Sequence, residues 1–377
     1  MNGKMKIAKK AVVLSASILG FAGVTTGAFA ADVQIPKHDG KPANMSKPVQ
    51  VFIMMGQSNM TGMGSKDSLE KAVKENKKYP YLVDAEGKWT VRPDVRFVRI
   101  SPDPKQGVTH NEWLGTTISP TATNKNTIGV EYGIGHVMGN VVDAPVMLLK
   151  SCVGNRSLGW HLLPPGSTRY EVGDKVYAGY REAPASWPKG TEPPPAVINE
   201  NAVTLKGDAK TGWYGGMEYD IDTRNAKKVL GELDKYYPGA KGYEIAGFFW
   251  WQGEKDAGTP AYAERYEPNL VQLIKSLRKD FNAPNAKFVL GTMGEADKGK
   301  IGNATGKYVN TTKILEAHLA VSDPAKHPEF KGNVATVYTR DMAQGGSGNG
   351  HYGGKAEVYM DVGEAMGQAM LELLKSK

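Results

Sequence analysis

Apolar runs with the length of β-strands recur along the chain and alternate with segments that have a helical repeat of apolar residues. The runs bounded by turn residues predict strands at 50–55, 145–149, 245–251, 287–290 and 334–338. The helical repeat predicts helices at 130–138, 226–233, 266–277 and 358–373. Because strands alternate with helices, we predict an α/β fold with a mostly parallel sheet that is covered on both faces.

One predicted strand runs directly into a glycine and a serine. The apolar run 51–55 is followed by Gly56 and Ser58, and a glycine at this point lets the backbone turn without a side-chain clash. A serine presented at the end of a strand acts as a nucleophile only if a base removes its proton. His351, which precedes the last predicted helix, is the candidate base. The alternative is that Ser58 only caps the helix that follows it.

A second predicted strand also ends in polar residues. The run 245–251 is followed by Gln252, Gly253 and Glu254. In open parallel sheets, ligands bind outside the carboxyl ends of the strands. We therefore expect the polar residues after this strand and the serine after the first one to share one site.

The amino-terminal residues have the pattern of a secretory signal peptide. Four lysines precede the apolar run 11–24, and residues 28–30 read Ala-Phe-Ala, which is an A-x-A cleavage site. We predict cleavage near Ala30 and an exported protein, periplasmic or extracellular. No later run reaches the roughly 20 apolar residues of a transmembrane helix, so we predict no membrane anchor. Loss of these four lysines lowers the formal net charge of +8 by four, to +4, and the other basic residues form no stripe, so we predict no nucleic-acid partner.

Length and composition favour one decorated domain. We predict a signal peptide over 1–30, an N-terminal linker over 31–46 and one domain over 47–377. Within this domain, a loop-rich insertion at about 155–216 breaks the rhythm of strands and helices, and long segments of this kind are usually functional. Its aromatic side chains either line a groove for sugar rings or pack beneath the loop. They are Trp160, Tyr170, Tyr177, Tyr180, Trp187, Trp213 and Tyr214.

Four sequence blocks together resemble a known superfamily. They are Gly56-Gln57-Ser58-Asn59-Met60, the segment 150–160, Trp251-Gln252-Gly253-Glu254, and His351. In this order and at this spacing they resemble the SGNH hydrolase superfamily, and within it the group of sialate O-acetylesterases and acetylxylan esterases. The resemblance covers nearly all of the predicted mature chain and implies a three-layer αβα sandwich with a flavodoxin-like sheet. It also implies a carbohydrate O-acetylesterase, acting on sialic acid, xylan or another acetylated polysaccharide through an acetyl-serine intermediate.

The resemblance assigns a role to each block. It implies Ser58 as the nucleophile and His351 as the base that accepts its proton. The backbone N–H groups of Ser58 and Gly154 and the side-chain amide of Gln252 would form the oxyanion hole. Fixed donors of this kind stabilise the negative charge that develops on the carbonyl oxygen during ester hydrolysis, each by about 3 kcal/mol.

The acid that orients His351 departs from the pattern of the superfamily. Many SGNH hydrolases have an aspartate three residues before the histidine, but this position is Gly348 here. Glu254 is the first candidate for the third member of the triad, with Asp341 and Asp256 as alternatives. Without an orienting acid we expect slower catalysis, because the imidazolium that forms during attack has no partner.

The sequence gives little support for a metal site or a phosphate-binding site. The seven histidines show no metal-ligand spacing, and the glycine-rich run 345–350 has no phosphate-binding pattern, so we predict no metal and no cofactor. Two rival functions remain open. One is a carbohydrate-binding protein on the same scaffold that has lost catalysis, and the other is a lipase or thioesterase of the same superfamily.

Overall fold

A computed structural model provides the structure of the protein and describes residues 34–101, 107–115, 127–194, 212–343 and 351–376. The predicted signal peptide, 1–30, lies outside these residues, as does Gly348. The predicted linker and the predicted insertion lie partly outside them.

A seven-stranded sheet forms the centre of the described part. The strands of all the sheets in the described part, large and small, are β1 (Val49–Gly56), β2 (Gly64–Ser65), β3 (Arg92–Ile100), β4 (Val108–Leu114), β5 (Thr127–Ile128), β6 (Val146–Ser151), β7 (Tyr170–Val172), β8 (Lys175–Tyr177), β9 (Ser186–Pro188), β10 (Tyr243–Trp251), β11 (Lys287–Gly291) and β12 (Val334–Val337). The order in the large sheet is β12–β11–β10–β1–β6–β3–β4. Its neighbouring strands are parallel, except for the antiparallel pair β3 and β4. The predicted mostly parallel sheet is confirmed.

Helices cover both faces of this sheet. They are α1 (Ser58–Thr61), α2 (Lys66–Lys74), α3 (Glu131–Val141), α4 (Met217–Gly231), α5 (Glu254–Ala257), α6 (Pro260–Glu264), α7 (Tyr266–Asp280), α8 (Tyr308–Ala320) and α9 (Ala356–Lys375). Successive side chains of a strand point to opposite faces. Phe52 and Met54 of β1 pack with α2, α3 and α9, whereas Val51 and Ile53 pack with α4, α7 and α8. The predicted three-layer αβα sandwich is confirmed.

The strand order places β1 where a ligand site is expected. Counted in chain order, β6, β1, β10, β11 and β12 have the flavodoxin-like order 2-1-3-4-5, and β3 and β4 extend the sheet beyond β6. In this order the crevice for a ligand opens at the carboxyl ends of the first and third strands, which are β1 and β10 here. These two strands carry the predicted serine block and the predicted glutamine–glutamate block.

The strands and helices that the sequence pattern predicts are all present, but the pattern misses β3 and β4 of the large sheet and the helices α2 and α8. Arginines at 92, 96 and 99 and a proline at 93 interrupt the apolar character of β3. Arg92 is nevertheless completely buried, because its guanidinium forms an ion pair with Asp94 at 2.7 Å. Charged side chains that pair with each other inside a buried strand hide this strand from a hydrophobicity pattern, even where the partners are two residues apart.

The described parts of the insertion fold onto themselves. β7, β8 and β9 form a small antiparallel sheet, and residues 195–211 lie outside the described residues. Trp160, Trp187, Trp213 and Tyr214 are buried in one cluster. The half-buried rings of Tyr170 and Tyr177 stack on each other, with centroids 5.3 Å apart. These contacts favour packing beneath the loop over an open groove. None of the helices in the described ranges is long and apolar enough to cross a membrane.

Candidate active site

The turn after β1 brings its serine to the carboxyl edge of the sheet. We call residues 56–60 the serine turn. Gly56 has a φ of +148° and is in register with Trp251 of β10. A Cβ atom at Gly56 would lie only 2.4 Å from the carbonyl oxygen of Trp251. Only glycine therefore fits where β1 and β10 approach each other before Ser58.

Replacing Gly56 with alanine is expected to lower the free energy of unfolding by about 2–4 kcal/mol. The added methyl group would force the Trp251 carbonyl group away from the serine turn. Urea unfolding followed by circular dichroism measures this change. Gly40→Ala is the matched control, because Gly40 also has a positive φ, +76°, but nothing lies within 4 Å of its Cβ position. Equal losses in both variants would assign the effect to backbone strain and not to the contact with Trp251.

Ser58 is the accessible position of an otherwise buried segment. Between Val49 and Thr61 it is the one residue that is not buried. It is the first residue of α1, and the N-cap position belongs to Gln57, whose side chain makes no capping hydrogen bond. The alternative that Ser58 caps this helix is therefore not supported. Gly154 faces Ser58, since a Cβ atom at Gly154 would lie 3.6 Å from the Ser58 Cβ.

Glu254 holds the residues on both sides of Ser58. Its Oε2 accepts a hydrogen bond from Gln57 Nε2 at 2.8 Å, and its Oε1 accepts one from Asn59 Nδ2 at 2.5 Å. Burial, followed by the charge of nearby Glu295, raises the pKa of the Glu254 carboxyl to about 8. With both oxygens engaged in this way, Glu254 is placed to position the serine turn.

His351 lies close to the serine turn through its neighbour in the chain. It is half-buried with a φ of +58°, and burial lowers the pKa of its imidazole, which favours the neutral ring that a general base needs. The hydroxyl of Tyr352 accepts a hydrogen bond from Asn59 Nδ2 at 2.9 Å, and its ring stacks on Trp251. Within the described residues no hydrogen bond joins His351 to Ser58, so the role of the base stays a prediction.

The acid that would orient His351 is not among the contacts of the described residues. The ion pairs there between histidines and carboxylates do not include His351. Of the three predicted candidates, Glu254 and Asp256 have carboxylates that accept hydrogen bonds from other groups, and Asp341 is exposed. Residues 344–350, which precede His351 directly, lie outside the described residues. The third member of the triad therefore stays a prediction.

Asp256 connects the block after β10 to the loop 154–159 after β6. Its buried carboxylate accepts the backbone N–H groups of Leu158 at 2.8 Å and Gly159 at 2.7 Å. It also accepts the side-chain amide of Gln252 at 2.6 Å. Burial raises the pKa of the Asp256 carboxyl to about 6, and these hydrogen bonds oppose the rise. Asp256 thus supports the loop 154–159, a role different from the alternative triad role predicted for it.

The side-chain amide of Gln252 is engaged inside the protein. Its nitrogen lies 2.6 Å from the Asp256 carboxylate, 2.9 Å from the carbonyl oxygen of Arg156 and 3.2 Å from Gln57 Oε1. Its oxygen accepts the hydroxyl of Tyr266 at 2.7 Å. An amide nitrogen has two N–H bonds, and these three acceptors occupy both. Donation to an oxyanion, which is the predicted role, would require one of these hydrogen bonds to break.

A buried ion pair lies behind the serine turn. Lys150 Nζ is 2.5 Å from Glu131 Oε2 and donates to the carbonyl oxygen of Thr61 at 3.3 Å, while Glu131 Oε1 accepts the Gly129 N–H at 3.0 Å. Both side chains of the pair are almost completely buried. The pair joins the end of α1 to the start of α3. Across the described ranges, no three His, Cys, Asp or Glu side chains are grouped so that they could hold a metal ion.

Sequence reasoning missed the residues that support this site. Three of them, Gln57, Asn59 and Tyr352, are each adjacent in the chain to a predicted catalytic residue. Their position next to Ser58 and His351 is the sequence signal that could have identified them. Arg156 and Glu218 form a buried ion pair at 2.5 Å, but they are 62 residues apart in the chain. No local pattern connects two residues at that separation.

Comparison with known proteins supports the resemblance. Residues 212–372 match the family described as carbohydrate esterase, sialic acid-specific acetylesterase. The matched part contains the block after β10 and His351. The resemblance to the carbohydrate esterases that the sequence blocks indicate is confirmed over these residues.

Solved structures that are similar to this chain share little sequence identity with it. A protein from Arabidopsis thaliana is 19% identical with a TM-score of 0.47, over 86% of this chain and 98% of that chain. A novel carbohydrate acetylesterase from Xanthomonas citri is 13% identical with a TM-score of 0.45, over 85% of this chain and 55% of that chain. NanS is 11% identical with a TM-score of 0.46, over 88% of this chain and 98% of that chain. No curated protein matches the chain.

Proposed function

We propose, from the match of residues 212–372 to the carbohydrate esterases, that this chain is an exported serine esterase that removes O-acetyl groups from a carbohydrate. The observation that carries the proposal is the placement of Ser58. It is accessible at the end of the buried strand β1, it faces Gly154, and Glu254 holds the residues on both sides of it. Export rests on the signal-peptide pattern of residues 1–30.

The proposed reaction passes through an acetyl-enzyme. Ser58 Oγ attacks the carbonyl carbon of the acetyl ester while His351 accepts the hydroxyl proton. The negative charge on the former carbonyl oxygen is stabilised by the backbone N–H groups of Ser58 and Gly154. When the C–O bond to the sugar breaks, His351 gives its proton to the sugar hydroxyl that leaves. Water, deprotonated by His351, then attacks the acetyl-serine, and His351 returns the proton to Ser58 Oγ as the ester bond breaks and acetate leaves.

The substrate preference tests this proposal. We expect the purified protein to hydrolyse p-nitrophenyl acetate at least about tenfold faster than the decanoate, because the large apolar side chains of the insertion pack on one another and not around a long acyl chain. Acetate release from O-acetylated sialic acid and from acetylated xylan, measured side by side, identifies the sugar. Faster turnover of the decanoate would favour the lipase or thioesterase, and turnover of no ester would contradict the proposal.

A carbohydrate-binding protein without catalysis is the second candidate. The observation in its favour is that His351 has no carboxylate partner among the described residues. Calorimetric titration with acetylated and deacetylated forms of one oligosaccharide separates the two functions. Binding of the acetylated form without acetate release would support this candidate.

A further inference from the structure

Two carboxyl groups are buried together behind the loop 154–159. Glu218 and Asp222 lie one helical turn apart in the first half of α4, so they share a face of the helix. Each side chain is 1% exposed. Asp222 Oδ1 accepts the hydroxyl of Ser151 at 2.8 Å, and Glu218 Oε2 accepts Arg156 Nε at 2.5 Å. We call these two residues the acid pair.

One oxygen of each carboxyl group has no hydrogen-bond partner in the part of the chain that the structure describes. Within the described residues, Glu218 Oε1 and Asp222 Oδ2 are buried and form no hydrogen bond. A buried acceptor without a donor destabilises the folded state. Here two such acceptors lie on neighbouring carboxyl groups, so one feature can account for both. A single proton between them would satisfy both.

The charges around the acid pair also indicate that the pair binds one proton. Among the described residues, Arg156 is the cation that acts on both carboxyl groups, and His161 and Cys152 adjoin them; Lys150 and Arg99 act on Cys152, and Lys150 is itself paired with Glu131. Burial lowers the pKa of His161 to about 3 and raises the pKa of the Cys152 thiol, so both are neutral near pH 7. Two ionised carboxylates beside one guanidinium would leave an uncompensated charge in the protein interior. One bound proton makes the two carboxyl groups and Arg156 neutral as a group, counted over the described residues.

We propose that Glu218 and Asp222 share a single proton and that this acid pair, through Arg156, holds the loop 154–159 in position beside Ser58. The main-chain atoms of Arg156 also contribute, because its carbonyl oxygen accepts the Gln252 amide at 2.9 Å. The N–H of Glu218 donates to the carbonyl oxygen of His161 at 2.9 Å, which joins the start of α4 to the segment after the loop. Glu218 and Asp222 are thus positioning residues of the proposed esterase site, and this role rests on the proposed function.

The pKa values of both carboxyl groups in the acid pair are raised, so the direction in which pH changes the stability of the fold is defined. Burial raises the pKa of Glu218, and burial together with the charge of Glu218 raises the pKa of Asp222 well above its ordinary value. A carboxyl group whose pKa is higher in the folded state stabilises the fold while it is protonated, and this stability is lost as the pH rises through the folded-state pKa. We therefore expect the loop 154–159 to loosen as the pH rises through the folded-state pKa of the acid pair.

Infrared difference spectroscopy tests the shared proton. At about pH 8, wild type minus Asp222→Asn is expected to show a carboxylic-acid C=O band that an exposed carboxyl group would have lost. Glu218→Gln is expected to remove the same band, since Asp222 can then ionise beside Arg156. The control is Asp67→Asn, which changes an exposed aspartate and is expected to keep the band. If neither single variant changes the band, both carboxyl groups are ionised and the proposal is wrong.

Hydrogen exchange tests the positioning role without any enzyme assay. Backbone amides of 154–159 are expected to exchange at least about tenfold faster in Glu218→Gln, whereas Asp222→Asn, which keeps a neutral group and an acceptor for Ser151, is expected to exchange at the wild-type rate near pH 7. Asp222→Asn is also expected to lose the acceleration that wild type shows as the pH rises through the folded-state pKa of the pair. Equal exchange in all three proteins at every pH would overturn the positioning role. Because neither measurement needs turnover, a protein inactive on every ester would contradict the proposed function and leave the acid pair to be decided by these results.

Discussion

Replacing Ser58 with alanine is expected to lower kcat/KM for p-nitrophenyl acetate by at least about a thousandfold. The substitution removes the oxygen that would form the acetyl-enzyme, while the backbone N–H groups beside it remain. Because Ser58 is only partly buried and is not the N-cap residue of α1, the melting temperature is expected to stay near that of wild type. Release of p-nitrophenol in burst and steady-state phases measures the loss.

The acetyl-enzyme provides the control for this prediction. Mass spectrometry of the quenched wild-type reaction is expected to find one acetyl group on the peptide that contains Ser58, and none in Ser58→Ala. Ser46→Ala, a substitution of a serine outside the serine turn, is the matched variant and is expected to react like wild type. If Ser58→Ala hydrolyses the ester as fast as wild type, Ser58 is not the nucleophile.

The same assay can identify the acid of the triad. Glu254→Gln is expected to slow the reaction because an amide cannot accept hydrogen bonds from both Gln57 and Asn59. Asp341→Asn changes an exposed side chain, and a large loss of activity in this variant would place Asp341 beside His351. The pH profile distinguishes the two effects, because loss of the orienting acid changes the apparent pKa of the base.

Replacing Asp256 with asparagine is expected to lower the free energy of unfolding by about 2–4 kcal/mol near pH 7. The buried carboxylate accepts three hydrogen bonds, from Leu158, Gly159 and Gln252. An amide presents its own N–H groups to some of these donors. The loop 154–159 loses one of its anchors, and kcat is expected to fall about a hundredfold. Urea unfolding and steady-state kinetics measure the two losses, and Asp67→Asn, in an exposed position, is the control.

The direction in which pH changes the stability difference between wild type and Asp256→Asn follows from the pKa of Asp256. The pKa of the Asp256 carboxyl is about 6 in the folded protein, above its ordinary value of 3.8. Its protonation therefore stabilises the folded state, and the stabilisation is lost as the pH rises through about 6. Because asparagine does not titrate, wild type is expected to gain up to about 3 kcal/mol over Asp256→Asn as the pH falls from about 7.5 to about 4. A constant difference over this range would show that Asp256 titrates normally.

Local patterns predicted the framework of this site correctly. β1 is buried throughout, and β10 is buried and apolar from Gly247 to Trp251, because both faces of the sheet are covered there, so the sequence marks both as buried strands. The polar residues that follow them mark the carboxyl edge. The same patterns missed β3, where a buried arginine needs a partner that a hydrophobicity pattern cannot show.

The sequence by itself therefore determined the α/β fold, the two strands that carry the site and the block that contains Ser58. These properties depend on neighbours within a few residues, through the periods of strands and helices. Only the tertiary structure decided that Glu254 accepts from Asn59, 195 residues away, and that Asp256 accepts from Leu158, 98 residues away. Each carboxylate was a candidate for the triad in the sequence, and its actual partner depends on which strands and loops the sheet order brings together.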